Sequence, residues 1–182
     1  MSSGSRRTRF ITVAQMDEAI LEVAALAREA SLDVVLIGGC ALQFFGSDRL
    51  TADIDFAADG LLTPLPILGL LSFGGIQTQT SAGVPVDWVV RSDRYAHLYR
   101  AAISNAIRIP GVPLPVASPA YLAAMKMVAR RTKDEADLEA LIDSGELDLN
   151  EARQVVQRLL GDYAADDLES YIQTSPLRRR KE

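Results

Sequence analysis

The sequence predicts an α/β (α+β) chain: a small mixed β-sheet flanked by helices, followed by a helical C-terminal region. Three observations carry this. Asp33-Val-Val-Leu-Ile37 is a short, partly β-branched run that stops at Gly38-Gly39, as buried strands do. Ala52 to Ala57 alternates, with Ile54 and Phe56 to one side and Asp53 and Asp55 to the other, which is strand periodicity. From Tyr121 onward the apolar residues recur at helical spacing.

Taken in order, the elements are these. Residues 1–9, with Arg6, Arg7 and Arg9, read as a frayed basic arm. Thr12 begins a helix that runs to about Ala30, with Val13, Met16, Ile20, Val23 and Leu26 on one face. The strand 33–37 follows, then a short helix over 40–45 that Gly46 ends. After the strand 52–57, residues 64–72 read as a helix, because proline is tolerated at its start. Gly74-Gly75 is a turn. Two strands, 76–80 and 84–90, flank a turn at Ser81-Ala-Gly83. Residues 93–101 read as helix and 102–109 as a further strand. Four of the eight prolines (Pro110, Pro113, Pro115, Pro119) fall in 110–119, predicting a last extended strand and a boundary. Ser118 then caps a helix with Pro119 in its first turn. Helices are expected over 119–131, 134–143, 150–160 and 165–173. The expected organisation is a core over 10–117, a helical region over 118–175 packed on it, and basic flexible tails at 1–9 and 176–182.

Composition narrows the function classes. The chain has 182 residues, 48% apolar and 24% charged, enough for one core and unlike a disordered chain. No run approaches the roughly 18 apolar residues of a membrane span, so no membrane association is expected. The net charge of −5 excludes a generic nucleic-acid coat protein but leaves room for a local basic patch. One cysteine, Cys40, cannot form an intrachain disulfide or a cysteine zinc cluster, and no secretory signal is evident, so a cytoplasmic location is expected. One histidine, His97, excludes His-rich metal sites; a Cys40–His97 pair is the sole thiol–imidazole arrangement open.

The chemistry gathers around Asp53 and Asp55. Residues two apart on a strand share a face, and two such carboxylates repel unless a proton or cation sits between them. Mg²⁺ suits such a pair and leaves coordination room for phosphate oxygens; a bare Asp-x-Asp also fits a solvated strand. Upstream, Gly38-Gly39 between a strand and a helix offers backbone N–H groups for phosphate at close approach. Asp87, in Val84-Pro-Val-Asp-Trp-Val-Val90, is the polar exception in an apolar strand; it needs a partner, either a metal shared with Asp53 and Asp55 or a salt bridge, unless it lies at a sheet edge. Lys126 interrupts an apolar helix, which suits either a snorkelling surface residue or a ligand contact. Arg130, Arg131 and Lys133 read as solvated or facing a polynucleotide.

Gly38-Gly39-Cys40-Ala41, then Asp53-Ile-Asp55, then the strand carboxylate Asp87, resembles the nucleotidyltransferase superfamily of the DNA polymerase β type. Arg49-Leu-Thr51-Ala-Asp53-Ile-Asp55, Ser118-Pro119-Ala-Tyr-Leu-Ala-Ala-Met-Lys126 and Lys133-Asp134-Glu-Ala-Asp137-Leu138 resemble the AbiEii/AbiGii-type members, which include toxins of toxin–antitoxin and phage-defence systems. The resemblance covers roughly residues 34–142. It implies that Asp53, Asp55 and Asp87 hold Mg²⁺ or Mn²⁺ and that Asp87 helps deprotonate the attacking hydroxyl. It implies that Gly38, Gly39 and Cys40 hold the β- and γ-phosphates of a nucleoside triphosphate, with a weak thiol donor at position 40 where the superfamily has Ser or Gly. Lys126 is implied to contact the triphosphate or pyrophosphate, and Asp137 matches a late acidic position. Arg49 and Thr51 either shape the loop or touch substrate. The implied reaction moves a nucleoside monophosphate to an acceptor hydroxyl, on tRNA or other RNA, with an antitoxin protein as a further partner. Transfer to a protein or an antibiotic-like small molecule, and a non-catalytic nucleotide-binding module, are the alternatives. The chain lacks a Walker-type GxxxxGK[ST] loop and a kinase GxGxxG loop.

Overall fold

The computed structural model describes residues 10–62 and 65–175; the two tails expected to be flexible lie outside these. The first element is α1 (Val13–Glu29), which opens on Thr12. Its hydroxyl caps Gln15 N–H, and the Gln15 side chain accepts from the Thr12 backbone in return, satisfying two N-terminal donors. The apolar face of α1, Met16, Ala19, Ile20, Val23 and Ala27, is buried. β1 (Val34–Ile37) is buried throughout, and α2 (Gly38–Gln43) follows it with no intervening residue.

Four more strands complete one sheet: β2 (Ile54–Ala58), β3 (Ile67–Leu70), β4 (Gly75–Gln79) and β5 (Pro85–Val89). Their order is β1-β2-β5-β4-β3. β2 and β5 run parallel; every other pair is antiparallel. Parallel neighbours require an intervening crossover, and here the β3–β4 hairpin is that excursion.

The β2–β5 register decides where the chemistry sits. Phe56 pairs with Trp88 and Asp55 with Asp87. Alternation then sends the first pair to one face and the second to the other. Phe56 and Trp88 are fully buried with ring centroids 6.0 Å apart, and Trp88 Nε1 donates to the Gly60 carbonyl at 2.7 Å. Truncating either ring would cost about 3–5 kcal/mol. This apolar anchor fixes the register, and the register places the carboxylates.

The helices that follow are α3 (Ala96–Ser104), α4 (Pro119–Ala129), α5 (Thr132–Ser144), α6 (Leu149–Leu160) and α7 (Asp162–Thr174). α4 is buried along most of its length and packs against α2, α3, α5 and α6. One apolar cluster runs from α1 through the sheet to α7, taking in Val23, Leu36, Phe56, Trp88, Leu122, Leu138 and Ile172. No helix among the described residues is long and apolar enough to cross a membrane.

Two expectations are corrected. Within 64–72 the described residues hold a strand, β3, and no helix: Ile67, Gly69 and Leu70 pair with Thr78, Gln77 and Ile76 on β4. Nothing local favours the strand, since the segment has one β-branched residue at most in any turn's length; pairing with β4 decides. The expected strand 102–109 is absent because α3 runs on to Ser104, where the Asn105 side chain bonds the Ala101 carbonyl. Ile107 keeps an isolated pairing with Val116, and Val116 bridges to Leu36 of β1, which is all that remains of the expected last extended strand.

Candidate active site

A cleft of about 350 Å³ opens where the sheet's polar face meets α4 and the start of α5. Its lining includes Gly38, Gly39, Arg49, Thr51, Asp53, Asp55, Asp87 and Lys126. Of the residues singled out from sequence, Cys40 and Asp137 stand behind this lining. The size suits a bound small molecule.

The carboxylates are built as follows. Asp55 and Asp87 face each other across the parallel pair β2–β5. Asp53 stands just before β2, where the Thr51 hydroxyl lies 2.9 Å from its carbonyl and 3.1 Å from its Oδ1. That contact shapes the loop, while Thr51 also lines the cleft. Burial, reinforced by the charges of Asp53 and Asp87, pushes the Asp55 carboxyl up to about 7. Burial also raises Asp87, although Gln77 Nε2 donates to its Oδ1 at 3.0 Å and partly offsets this. Asp87 thus forms no salt bridge among the described residues, and it sits inside the sheet between β2 and β4. Among the described residues none of the three carboxylates has an ion pair, and the more distant charges of Lys126 and Lys133 only partly offset the rise of Asp55.

Gly38 has φ +69°, and a Cβ there would lie 2.0 Å from Asp55 Oδ2. A side chain is excluded twice, by backbone conformation and by the carboxylate. A Cβ on Gly39 would meet Arg49 Nη2 at 2.7 Å. The two glycines therefore let the backbone lie against a carboxylate and a guanidinium together. Cys40 points the other way: it is fully buried, its Sγ 3.7 Å from the Asp53 carbonyl, and burial with the Asp55 and Asp53 charges pushes the thiol up to about 12. His97 is bonded to the Leu159 carbonyl and is not among the cleft's lining residues, so no Cys–His pair forms.

The opposite wall is an ion-pair ladder. Lys126 is buried, with Nζ 2.6 Å from Asp137 Oδ2 and 3.3 Å from Asp134 Oδ1. Arg49 joins Asp137 at 2.7 Å and Arg131 joins Asp134 at 2.6 Å. Charges alternate along Arg49, Asp137, Lys126, Asp134 and Arg131, and each buried carboxylate has two cationic partners. Burial alone would raise the Asp134 carboxyl; the Arg131 hydrogen bond and the Lys126 charge hold it below the usual range instead. Lys126 is therefore not the snorkelling surface residue that its sequence setting permits.

Sequence reasoning passed over Gln77, which alternation places on β4 beside Asp87, and Asp134 as a partner of Lys126. Of the two settings left open for Arg131 and Lys133, solvated or facing a polynucleotide, the structure puts both on the cleft lining, where their charges act on Asp87. A further cleft group is Arg91, whose guanidinium lies about 5 Å from the rings of Phe73 and Tyr99 and pairs with Asp93.

Mg²⁺ fits this donor set. Among the described residues no three carboxylate, thiol or imidazole groups already converge to hold an ion. Mg²⁺ does not need such a cage, because it keeps waters and takes one or two carboxylates together with substrate phosphate. Three carboxylates on one cleft, two of them with raised carboxyls, are the donors it requires.

The fold is that of nucleotidyltransferase-like proteins. The chain superimposes on an antigenic nucleotidyltransferase-like protein from Paracoccidioides brasiliensis with a TM-score of 0.51 at 14% identity, over 92% of this chain and 96% of that one. It superimposes on the antibiotic-resistance factor ANT(2'')-Ia with a TM-score of 0.54 at 15% identity, over 88% and 99%. The Thermotoga maritima CCA-adding enzyme, solved with tRNA, aligns at a TM-score of 0.36, too loosely to bear on the acceptor. No protein-family model matches the chain, and no curated protein matches it in sequence.

Proposed function

We propose that this chain transfers a nucleoside monophosphate from a nucleoside triphosphate to an acceptor hydroxyl, with the end of an RNA as the first acceptor to test. The observation that carries the reading is the uncompensated set Asp53, Asp55 and Asp87 beside the Gly38-Gly39 backbone in one cleft. The nucleotidyltransferase-like fold supports it.

Asp53, Asp55 and Asp87 would hold Mg²⁺ or Mn²⁺. The bound ion would neutralise charge on the phosphates and lower the pKa of the acceptor hydroxyl. The protein's own groups do the rest. The acceptor oxygen attacks the α-phosphorus, the bond from that phosphorus to the bridging oxygen breaks, and pyrophosphate leaves. Asp87, which accepts a hydrogen bond from Gln77, would help take the hydroxyl proton. Gly38 and Gly39 offer backbone N–H groups to the β- and γ-phosphates, with Arg49 beside them. Lys126 shares its charge with two buried carboxylates, so it acts first as a strut that fixes Asp137 and, through it, Arg49. Arg131 and Lys133, on the wall facing Asp87, then take up charge on the departing pyrophosphate.

The test is transfer of label from α-³²P nucleoside triphosphates with Mg²⁺, offering total tRNA, the protein itself, or no acceptor, with Asp55→Ala as control. Label on RNA that the variant loses supports the reading. Label on protein moves the acceptor class. Metal-dependent nucleotide binding without transfer points to a small-molecule acceptor or a non-catalytic module. Loss of nucleotide binding altogether removes the reading. The AbiEii/AbiGii-like segments extend it to a toxin with an antitoxin partner, for which growth arrest on expression, relieved by Asp55→Ala, is the measurement.

A further inference from the structure

The two edges of the sheet are treated differently. At β1 the edge is covered: Leu36 N–H donates to the Pro115 carbonyl at 2.9 Å and Ala117 N–H donates to Leu36 at 3.0 Å. At β3, among the described residues, there is a strand on one side only. That open edge carries Ile67, Leu68 and Leu70, exposed at 60%, 54% and 84%, with Leu61 nearby in sequence at 50%. The three large apolar side chains of β3 at such exposure offer apolar area on the order of a few hundred Å², the scale that marks interaction sites. Open edges in monomers are usually blunted with lysine or other charges. Here residues 60–86, 27 in a row, contain no Asp, Glu, Lys, Arg or His, in a chain that is 24% charged.

We infer that β3 is a dimerisation edge and that its occupant is β3 of a second copy of this chain. The absence of charge selects the occupant. A basic or acidic partner finds nothing here to pair with. Two copies, each of net charge −5, repel over most of their surface but not along this segment. A twofold axis at β3 sets the same apolar side chains against one another and lets each open backbone row meet its like in antiparallel sense. The bulge between Ile67 and Gly69 limits the length of that ladder, so Leu68 and Leu70 supply much of the contact.

Analytical ultracentrifugation of the full chain from about 1 to about 100 µM reads this by mass action. A concentration-dependent dimer is expected. Leu70→Lys sets like charges against each other across the axis and should raise the dimer dissociation constant by at least about tenfold, with an unchanged melting profile at concentrations where both proteins are monomeric. Leu68→Lys is the second variant, should the first fold poorly. Hydrogen exchange should show the β3 amides that do not face β4 protected only in concentrated samples. A chain that stays monomeric throughout, or a dimer that neither substitution weakens, overturns the inference. Assembly seen only with added RNA or another protein does the same.

Discussion

Two acidic clusters share one cleft, and they are held in opposite states. Asp134 and Asp137 each have two cationic partners, and Asp134 is held ionised below the usual carboxylate range. Among the described residues Asp53, Asp55 and Asp87 have no ion pair, and Asp55 is pushed up to about 7. The first cluster carries its counter-charges within the fold. The second is short of positive charge, and Asp55 meets that shortfall with a raised carboxyl. Compensated carboxylates form the frame of the cleft; on the proposed reading the others form its working part.

Substitutions break this comparison in distinct ways. The largest effect is expected at Asp55. Asp55→Asn should reduce label transfer by about a thousandfold or more, since metal-held charge is worth several kcal/mol in the transition state. Its melting temperature should hold or rise, because the substitution removes an uncompensated charge; a large fall would make Asp55 part of the frame. Asp137→Asn should do the reverse. It leaves Lys126 and Arg49 short of a buried partner and should cost about 3–5 kcal/mol in urea unfolding.

Metal addition comes next. Mg²⁺ at about a hundred times its dissociation constant should add roughly 2.7 kcal/mol of stability, read as a rise in melting temperature that the double variant Asp53→Asn, Asp55→Asn does not show. The pH dependence of the frame has a definite sign. Asp134 has a depressed carboxyl, so its contribution is present above the ordinary carboxylate range and is lost as pH falls through its lowered value. Asp134→Asn should therefore flatten the acid limb of a stability–pH curve. The smallest expected signal is at Cys40: buried and raised to about 12, the thiol should resist iodoacetamide at pH 8 until denaturant is added.

Much of this was legible in the sequence where local pattern and tertiary role coincide. Ile54, Phe56, Asp53 and Asp55 alternate because one sheet face is core and the other is cleft. Gly38-Gly39 marked the close approach. Ser118-Pro119 marked the start of α4. What escaped depends on partners distant in sequence. β3 exists because β4 accepts it, and its own residues say little. Lys126 reads alike whether it snorkels, binds phosphate or bridges Asp134 and Asp137, since only the packing of α4 on α5 separates these. Gln77 gains its role only from lying opposite Asp87.

The parallel pairing of β2 with β5 has a consequence in time. Asp55 and Asp87 are 87 − 55 = 32 positions apart, and the hairpin between them must be accommodated before they can meet. Pairing over that distance closes a long loop and is slow relative to helix formation. During refolding, the helices and the Trp88 fluorescence environment need not mature together. The capacity to bind a divalent ion should return with the second, making ion binding a clock for the last strand to arrive.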